Sequence, residues 1–157
     1  MSSSQYAGRV RVRACALIVK SDSLLLVQQS VPTRTYSVWL APGGEVNMGE
    51  AAKDAAKRET FEETGLHIEP TRLVAVHEFI ETPFHAVELY FLSDISGGSI
   101  KVGTDPEHDA DDQQILDTAF ISFDELKDLP VIPDFLKGAR DIIDSALEGQ
   151  VLYFSDY

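Results

Sequence analysis

The sequence predicts an α/β (α+β) fold in which a mixed sheet is packed by helices. Short apolar runs bounded by turn residues recur at 10–19, 24–29, 73–80, 86–95 and 118–122, as strands do. Two longer stretches, 48–64 and 133–147, read as helices. The order is strands, helix, strands, helix, with too few strand–helix–strand units for a doubly wound parallel sheet. At 157 residues the chain has the size of one ordinary domain, so residues 1–157 are expected to form a single unit.

Each element has a local reason. Residues 1–8 are small and polar and are expected to fray. Val10–Val19 is a strand in which Arg9, Arg11 and Arg13 alternate before the apolar run Ala14–Val19. Lys20–Ser23 is a turn and Leu24–Gln29 a second strand, completing a hairpin. Residues 30–37, with Pro32, Thr33 and Thr35, form a loop, and Val38–Leu40 is short and apolar. Pro42-Gly43-Gly44 reads as a turn. Met48–Thr64 is the clearest helix: Asn47 is a good N-cap, Glu50 stands where a capping box needs it, and Gly65 is a stop. Leu73–Ile80 and Ala86–Ile95 are strands, the second with Val87, Leu89 and Phe91 alternating with Glu88 and Tyr90. Gly97-Gly98 is a turn, and the acidic residues 103–114 form a loop. Thr118–Ser122 is a short strand, Phe123–Leu129 a helical turn and Pro133–Leu147 the last helix.

Composition narrows the function. Thirteen basic residues against 26 acidic ones give a net charge of −13. A free-standing nucleic-acid binder needs the opposite sign. The charge is uneven: residues 1–40 carry five basic groups against one acid, and residues 41–157 eight against 25. An acidic protein still acts on polyphosphates when a divalent cation bridges the two anions. No apolar run approaches the roughly 20 residues of a membrane span. The opening residues lack a secretory stretch, so a cytoplasmic location is expected. The single cysteine, Cys15, excludes an internal disulfide and a cysteine-built zinc site, and reads as a buried, inert thiol. The oligomeric state is open, a homodimer included.

The chemistry concentrates in residues 43–66, GGEVNMGEAAKDAAKRETFEETGL. Glu59, Glu62 and Glu63 stand at i, i+3 and i+4 and share one arc of the helix. Ala52, Ala55 and Ala56 fall within about 60° of Glu59 on that arc, whereas Lys53, Asp54, Lys57, Arg58 and Phe61 fall elsewhere. An alanine face packs inward, so the carboxylates do too. Three inward carboxylates repel one another and cost several kcal/mol each to desolvate. A bound cation resolves this, and hard oxygen ligands without Cys or His favour Mg²⁺ or Mn²⁺ over zinc. Arg58 is either a helical ion pair worth a few tenths of a kcal/mol or the group that fixes a carboxylate. Gly43-Gly44 lets backbone approach without a Cβ in the way.

Gly44, five residues, Glu50, seven residues and Arg58-Glu59-Thr60-Phe61-Glu62-Glu63-Thr64-Gly65-Leu66 resembles the Nudix box, G-x5-E-x7-R-E-U-x-E-E-x-G-U with U a bulky aliphatic. Every charged and glycine position matches; Thr60 alone replaces a bulky aliphatic, at a position that packs rather than reacts. The flanking WLAPGGEV and the later TAFISFDEL also look like this superfamily. The resemblance implies an α/β/α sandwich with a mixed central sheet. It implies hydrolysis of a pyrophosphate bond in a nucleoside diphosphate derivative, by water attack at phosphorus. It makes Glu59, Glu62 and Glu63 metal ligands, with the Gly43 carbonyl a further one, and Mg²⁺ or Mn²⁺ the cofactor. Glu59 or another acid such as Glu62 would activate water, and Arg58 would orient Glu59. Glu50 lies nearly opposite the carboxylate arc and would support the loop–helix join.

Outside the box the candidates are thinner. Residues 105–112, DPEHDADD, read as a solvated acidic loop, and an EF-hand fails because Ala110 stands where Gly is required and Leu116 where the last Glu is required. Related enzymes recruit a loop acid, for which Glu107, Asp109 and Asp112 are candidates. His77, His85 and His108 read as structural or surface residues. Arg34, and the arginines at 9, 11 and 13, could meet substrate phosphates. Trp39 could stack a base, with core packing its default. Pro83, 17 residues beyond the box, resembles a feature associated with ADP-ribose substrates. The favoured substrate is therefore ADP-ribose or a nucleotide sugar. The alternatives are a nucleoside triphosphate pyrophosphatase and a catalytically silent domain that binds a nucleotide or a protein.

Overall fold

Residues Ala14 to Ile18 are buried on both faces of a sheet, which is why they read as an unbroken apolar run rather than an alternation. The computed structural model describes residues 6–31, 34–102 and 115–157. In chain order the strands are β1 (Val10–Leu17), β2 (Val19–Lys20), β3 (Ser23–Gln29), β4 (Val38–Leu40), β5 (Gly43–Glu45), β6 (Leu66–Glu81), β7 (Phe84–Gly98), β8 (Ile115–Ser122) and β9 (Leu152–Asp156). The α-helices are α1 (Ala52–Thr64) and α2 (Ala139–Leu147), with 3₁₀ turns at Glu125–Asp128 and Asp134–Gly138.

The central sheet has the order β5-β1-β7-β6-β9. β1 is antiparallel to β5 and parallel to β7, β6 is antiparallel to β7 and parallel to β9, so the sheet is mixed. A second sheet has β3 paired along its length with β8, and with β2 and β4 along the other edge. Period-two alternation sends neighbouring residues to opposite faces. Ala14 and Phe91 pack with Ala55 and Ala56 of α1. Cys15, Leu17 and Tyr90 pack with Ala139, Ile142, Ile143 and Ala146 of α2. The helices therefore cover opposite faces, an α/β/α sandwich.

Several elements differ from the sequence reading. The first helix starts at Ala52 rather than Met48, because Gly49 takes a left-handed φ of +81° that a helix cannot continue through. Half of the expected capping box forms, with Asn47 N–H donating to Glu50 Oε2 at 2.9 Å, but it closes a turn ahead of the helix. Gly43-Gly44 is a strand, not a turn, and Gly97-Gly98 ends β7 rather than breaking from it. The last helix is split, its first part a 3₁₀ turn. β9 had no sequence signal of its own: Leu152–Asp156 is only partly buried and gains its order by pairing with β6. Glu88 and Tyr90, read as the polar side of their strand, lie on the buried side.

Candidate active site

β5 brings Gly43 and Gly44 against the carboxylate arc of α1. A Cβ on Gly44 would stand 2.5 Å from both carboxylate oxygens of Glu59, and one on Gly43 would stand 2.6 Å from Cys15 Cα. Only glycine permits this approach. The Gly43 N–H donates to Glu63 Oε2 at 2.9 Å, which ties strand to helix. Ala55 and Ala56 are fully buried beneath the arc, while Glu59, Glu62 and Glu63 are half-buried, so the arc does face the body of the protein at its margin.

Arg58 is the hub of this margin. Its Nε donates to Glu50 Oε1 at 2.8 Å and one terminal nitrogen to Glu50 Oε2 at 3.0 Å, a bidentate pair. That second nitrogen also donates to the Glu45 carbonyl at 3.0 Å, and the other reaches Glu59 Oε1 at 2.6 Å and Glu62 Oε2 at 3.5 Å. One guanidinium thus orders three carboxylates. The hydrogen bonds from Arg58 hold the Glu50 carboxyl below its ordinary range, and those to Glu50 and Glu59 raise the guanidinium further still. Among the described residues no three His, Cys, Asp or Glu side chains are drawn together around a metal position. Here Glu59 and Glu62 accept from Arg58, and Glu63 from the β5 backbone.

Beside the arc opens a cavity of about 510 Å³, lined by Gly43, Gly44, Glu59 and Glu63 at one end and by His77 and Asp156 among other residues. Its floor is a row of charges across the central sheet. Arg13 of β1 pairs with Glu88 of β7, and Glu88 Oε2 meets His77 Nδ1 of β6 at 2.8 Å. Tyr90 donates its hydroxyl to the same Glu88 oxygen at 3.0 Å, and His77 Nε2 meets Asp156 Oδ2 of β9 at 2.9 Å. Arg13 also donates to the Gly43 carbonyl at 3.3 Å, so floor and helix margin are joined. Burial alone would raise the Glu88 carboxyl, yet Arg13, His77 and Tyr90 hold it down to about 2. Burial opposes a charge on His77, but the carboxylates on either side raise its pKa. Cys15, beneath, has its thiol pushed up to about 12 by burial, as an inert thiol should.

The expected site residues divide as follows. Glu59, Glu63, Gly43 and Arg34 line the cavity; Arg34 stands 3.7 Å from Glu81. Arg58 and Glu62 stand behind Glu59. Trp39, offered as a base-stacking residue, instead packs on the core and lines a different, smaller depression; β4 turns its ring away from the cleft. Tyr36 lines the cleft. Glu107, Asp109, Asp112 and His108 lie outside the described residues. His85 pairs with Glu78 at 2.9 Å. Sequence reading missed Glu88 and Asp156 and undervalued His77. An acid within a strand of largely buried neighbours was the available signal for Glu88; Asp156 had none.

A family model described as the NUDIX domain matches residues 9–144. The chain belongs to the Nudix family, whose members are pyrophosphohydrolases and generally use divalent metal ions. It is 33% identical over 111 residues to the human 8-oxo-dGDP phosphatase NUDT18, covering 68% of this chain and 32% of that protein. It is 27% identical over 122 residues to the ADP-ribose pyrophosphatase of Methanocaldococcus jannaschii, covering 76% of this chain and 70% of that one. The crystal structure of an ADP-ribose pyrophosphatase from Streptococcus suis has the same fold, with a TM-score of 0.65 at 21% identity over 93% of this chain and 98% of that chain. The chain spans about a third of the length of the human relative, 32%. Among the described residues no helix is long and apolar enough to cross a membrane.

Proposed function

We propose that the chain is a divalent-metal-dependent pyrophosphohydrolase acting on a nucleoside diphosphate derivative. The observation that carries this reading is the close seating of Gly43-Gly44 on Glu59 and Glu63 at the mouth of the cavity. The donor set suits Mg²⁺ or Mn²⁺: carboxylate oxygens of Glu59, Glu62 and Glu63 and a backbone carbonyl at Gly43. The Cβ-free strand lets backbone approach the carboxylates of Glu59 and Glu63 closely. A divalent ion bound there would neutralise the pyrophosphate and make water a better nucleophile.

The chain's own residues do the rest. Arg58 fixes the Glu59 carboxylate by a charge-assisted hydrogen bond. Glu59, or Glu62 next to it, takes the proton of the attacking water. Arg34, which also lines the cavity, meets the phosphates. The reaction needs positioning and charge stabilisation rather than a protein nucleophile.

ADP-ribose or a nucleotide sugar is the favoured substrate, in line with the M. jannaschii relative's name. The human relative's name supports a second reading, in which a nucleoside di- or triphosphate is the substrate. Products separate them. Purified protein with Mg²⁺ and ADP-ribose should release AMP and ribose 5-phosphate; a triphosphate would instead yield inorganic pyrophosphate. Turnover should vanish in excess EDTA and return with Mg²⁺. Full turnover in EDTA, or none on any nucleotide with metal, would defeat the proposal.

A further inference from the structure

The register of the central sheet places Arg11 of β1 beside Ala86 of β7, Ala86 beside Phe79 of β6, and Phe79 beside Asp156 of β9. Cross-strand partners point to the same face, and all four residues line the 510 Å³ cavity. The row therefore runs cation, small apolar, aromatic, carboxylate. It crosses three strand spacings, about 14 Å. Its Arg11 end lies on the β5 side, where Gly44 and Glu59 stand, and its Asp156 end is the far one. The row is cationic at one end, apolar in the middle and anionic at the other, an order that suits a nucleotide lying with its phosphates at Arg11 and its base on Phe79.

Both ends are prepared. Arg11 stacks over the Tyr6 ring at 4.5 Å, and its Nε is buried without a hydrogen-bond partner. The residue lines the cavity, and its guanidinium forms the cationic end of the row. Asp156 is fixed by His77, itself 1% exposed, which occupies Oδ2 while the Asp156 side chain remains 59% exposed. A carboxylate held in that way is an acceptor-only group with hydrogen-bonding capacity facing the cavity. β9 lies past residue 144, where the family match ends, so Asp156 is no part of the matched segment.

We infer that this row is a directional substrate platform and that Asp156 selects purine bases bearing an exocyclic amino group, accepting its N–H while the base lies on Phe79. Arg11 meets the phosphate and carries no base preference. The inference rests on the nucleotide reading of the site and names the base that the site takes. Adenine and guanine both carry such an amino group. Hypoxanthine is guanine without its amino group and carries a carbonyl oxygen where adenine has its own; a site built around that amino hydrogen bond rejects a ligand that lacks it.

The test is the affinity of the purified chain for AMP, GMP and IMP by calorimetry, without metal, alongside hydrolysis of ADP-ribose and of its inosine counterpart with Mg²⁺. At least one of AMP and GMP should bind about tenfold or more tighter than IMP, the scale of one hydrogen bond to a charged group. Asp156→Asn keeps an oxygen for His77 but turns an amino group towards the base, and should bring the preferred nucleotide to within about twofold of IMP. Arg11→Gln should weaken all three about equally, since it removes a phosphate contact. Equal binding of the three by the wild-type chain overturns the inference without need of any variant, as does an unchanged preference in folded Asp156→Asn. If nucleotides are hydrolysed but the base is ignored, the platform reading falls and the proposed function stands. If no nucleotide is hydrolysed with metal, the proposed function falls and takes the platform with it.

Discussion

Gly44→Ala isolates the geometry of the site from the stability of the fold. The new Cβ would lie 2.5 Å from both carboxylate oxygens of Glu59. Ordinary contact begins near 3.5 Å, so the carboxylate must retreat by about 1 Å. It is the far end of a flexible side chain, 14% exposed, and it can move. The expected stability cost is therefore about 1 kcal/mol, near the low end for overpacking. The retreat pulls Glu59 away from the Arg58 nitrogen that holds it at 2.6 Å. Misplacing a catalytic group by about 1 Å costs on the order of 100-fold. We expect kcat on the best substrate to fall by about that factor while the thermal midpoint falls by only a few degrees. Gly43→Ala is the contrast: its Cβ would strike β1 backbone, 2.6 Å from Cys15 Cα, which cannot swing aside. It should cost on the order of 3 kcal/mol or more and lower the midpoint first. Near-normal kcat in folded Gly44→Ala would show that the exact seat of Glu59 does not matter and would refute the reasoning.

Arg58→Lys cannot reproduce a fork that reaches Glu50, Glu59 and the Glu45 carbonyl together, so kcat should fall at least about tenfold, by the same geometric argument. Near-normal kinetics would leave Arg58 a structural residue only. Thr60 is fully buried in α1 with its hydroxyl unpaired, so Thr60→Val should stabilise the fold by about 1 kcal/mol in chemical denaturation, and a loss of stability would show that the hydroxyl is satisfied. The raised pKa of His77 stabilises the fold fully below its ordinary value of 6.5 and is lost as pH rises through the raised value. The thermal midpoint of wild type relative to His77→Gln should therefore decline as pH rises above 6.5, and a flat difference would remove the charge from His77.

The parts of the fold that were legible are those where one local rule dominates. The carboxylate arc of α1 followed from 3.6-residue periodicity, and burial of Ala55 and Ala56 agrees with it. Three strands of the central sheet, β1, β6 and β7, were visible as apolar runs, whereas β5 read as a turn. What escaped is set by pairing between distant segments. β9 is ordered by β6, some 75 residues earlier, so no local signal marks Asp156. Glu88 looked solvent-facing because alternation shows two faces without saying which is inside. Its strand is apolar on both, and the buried one holds an acid because Arg13 and His77 arrive from β1 and β6. Trp39 was placed near the substrate by its distance in sequence from Gly43, and β4 belongs to the second sheet.

The uneven charge of the chain acquires a spatial meaning. The arc on α1 was expected to need a cation, and its first cation is internal: Arg58 reaches Glu50, Glu59 and Glu62 at once. Glu63, the fourth carboxylate of this margin, accepts from the Gly43 N–H instead. Three arginines of the basic first forty residues fold against the same cavity as Glu59 and Glu63. Arg11, Arg13 and Arg34 all line the cavity. Arg13 donates to the Gly43 carbonyl, so base and acid meet at the same end of the cavity. A net charge of −13 would repel a diphosphate at long range. Salt limits that field to about 8 Å under physiological conditions. A substrate inside the cavity therefore responds to the arginines on its wall rather than to the distant acids, and an acidic protein can hold an anionic substrate without a basic surface.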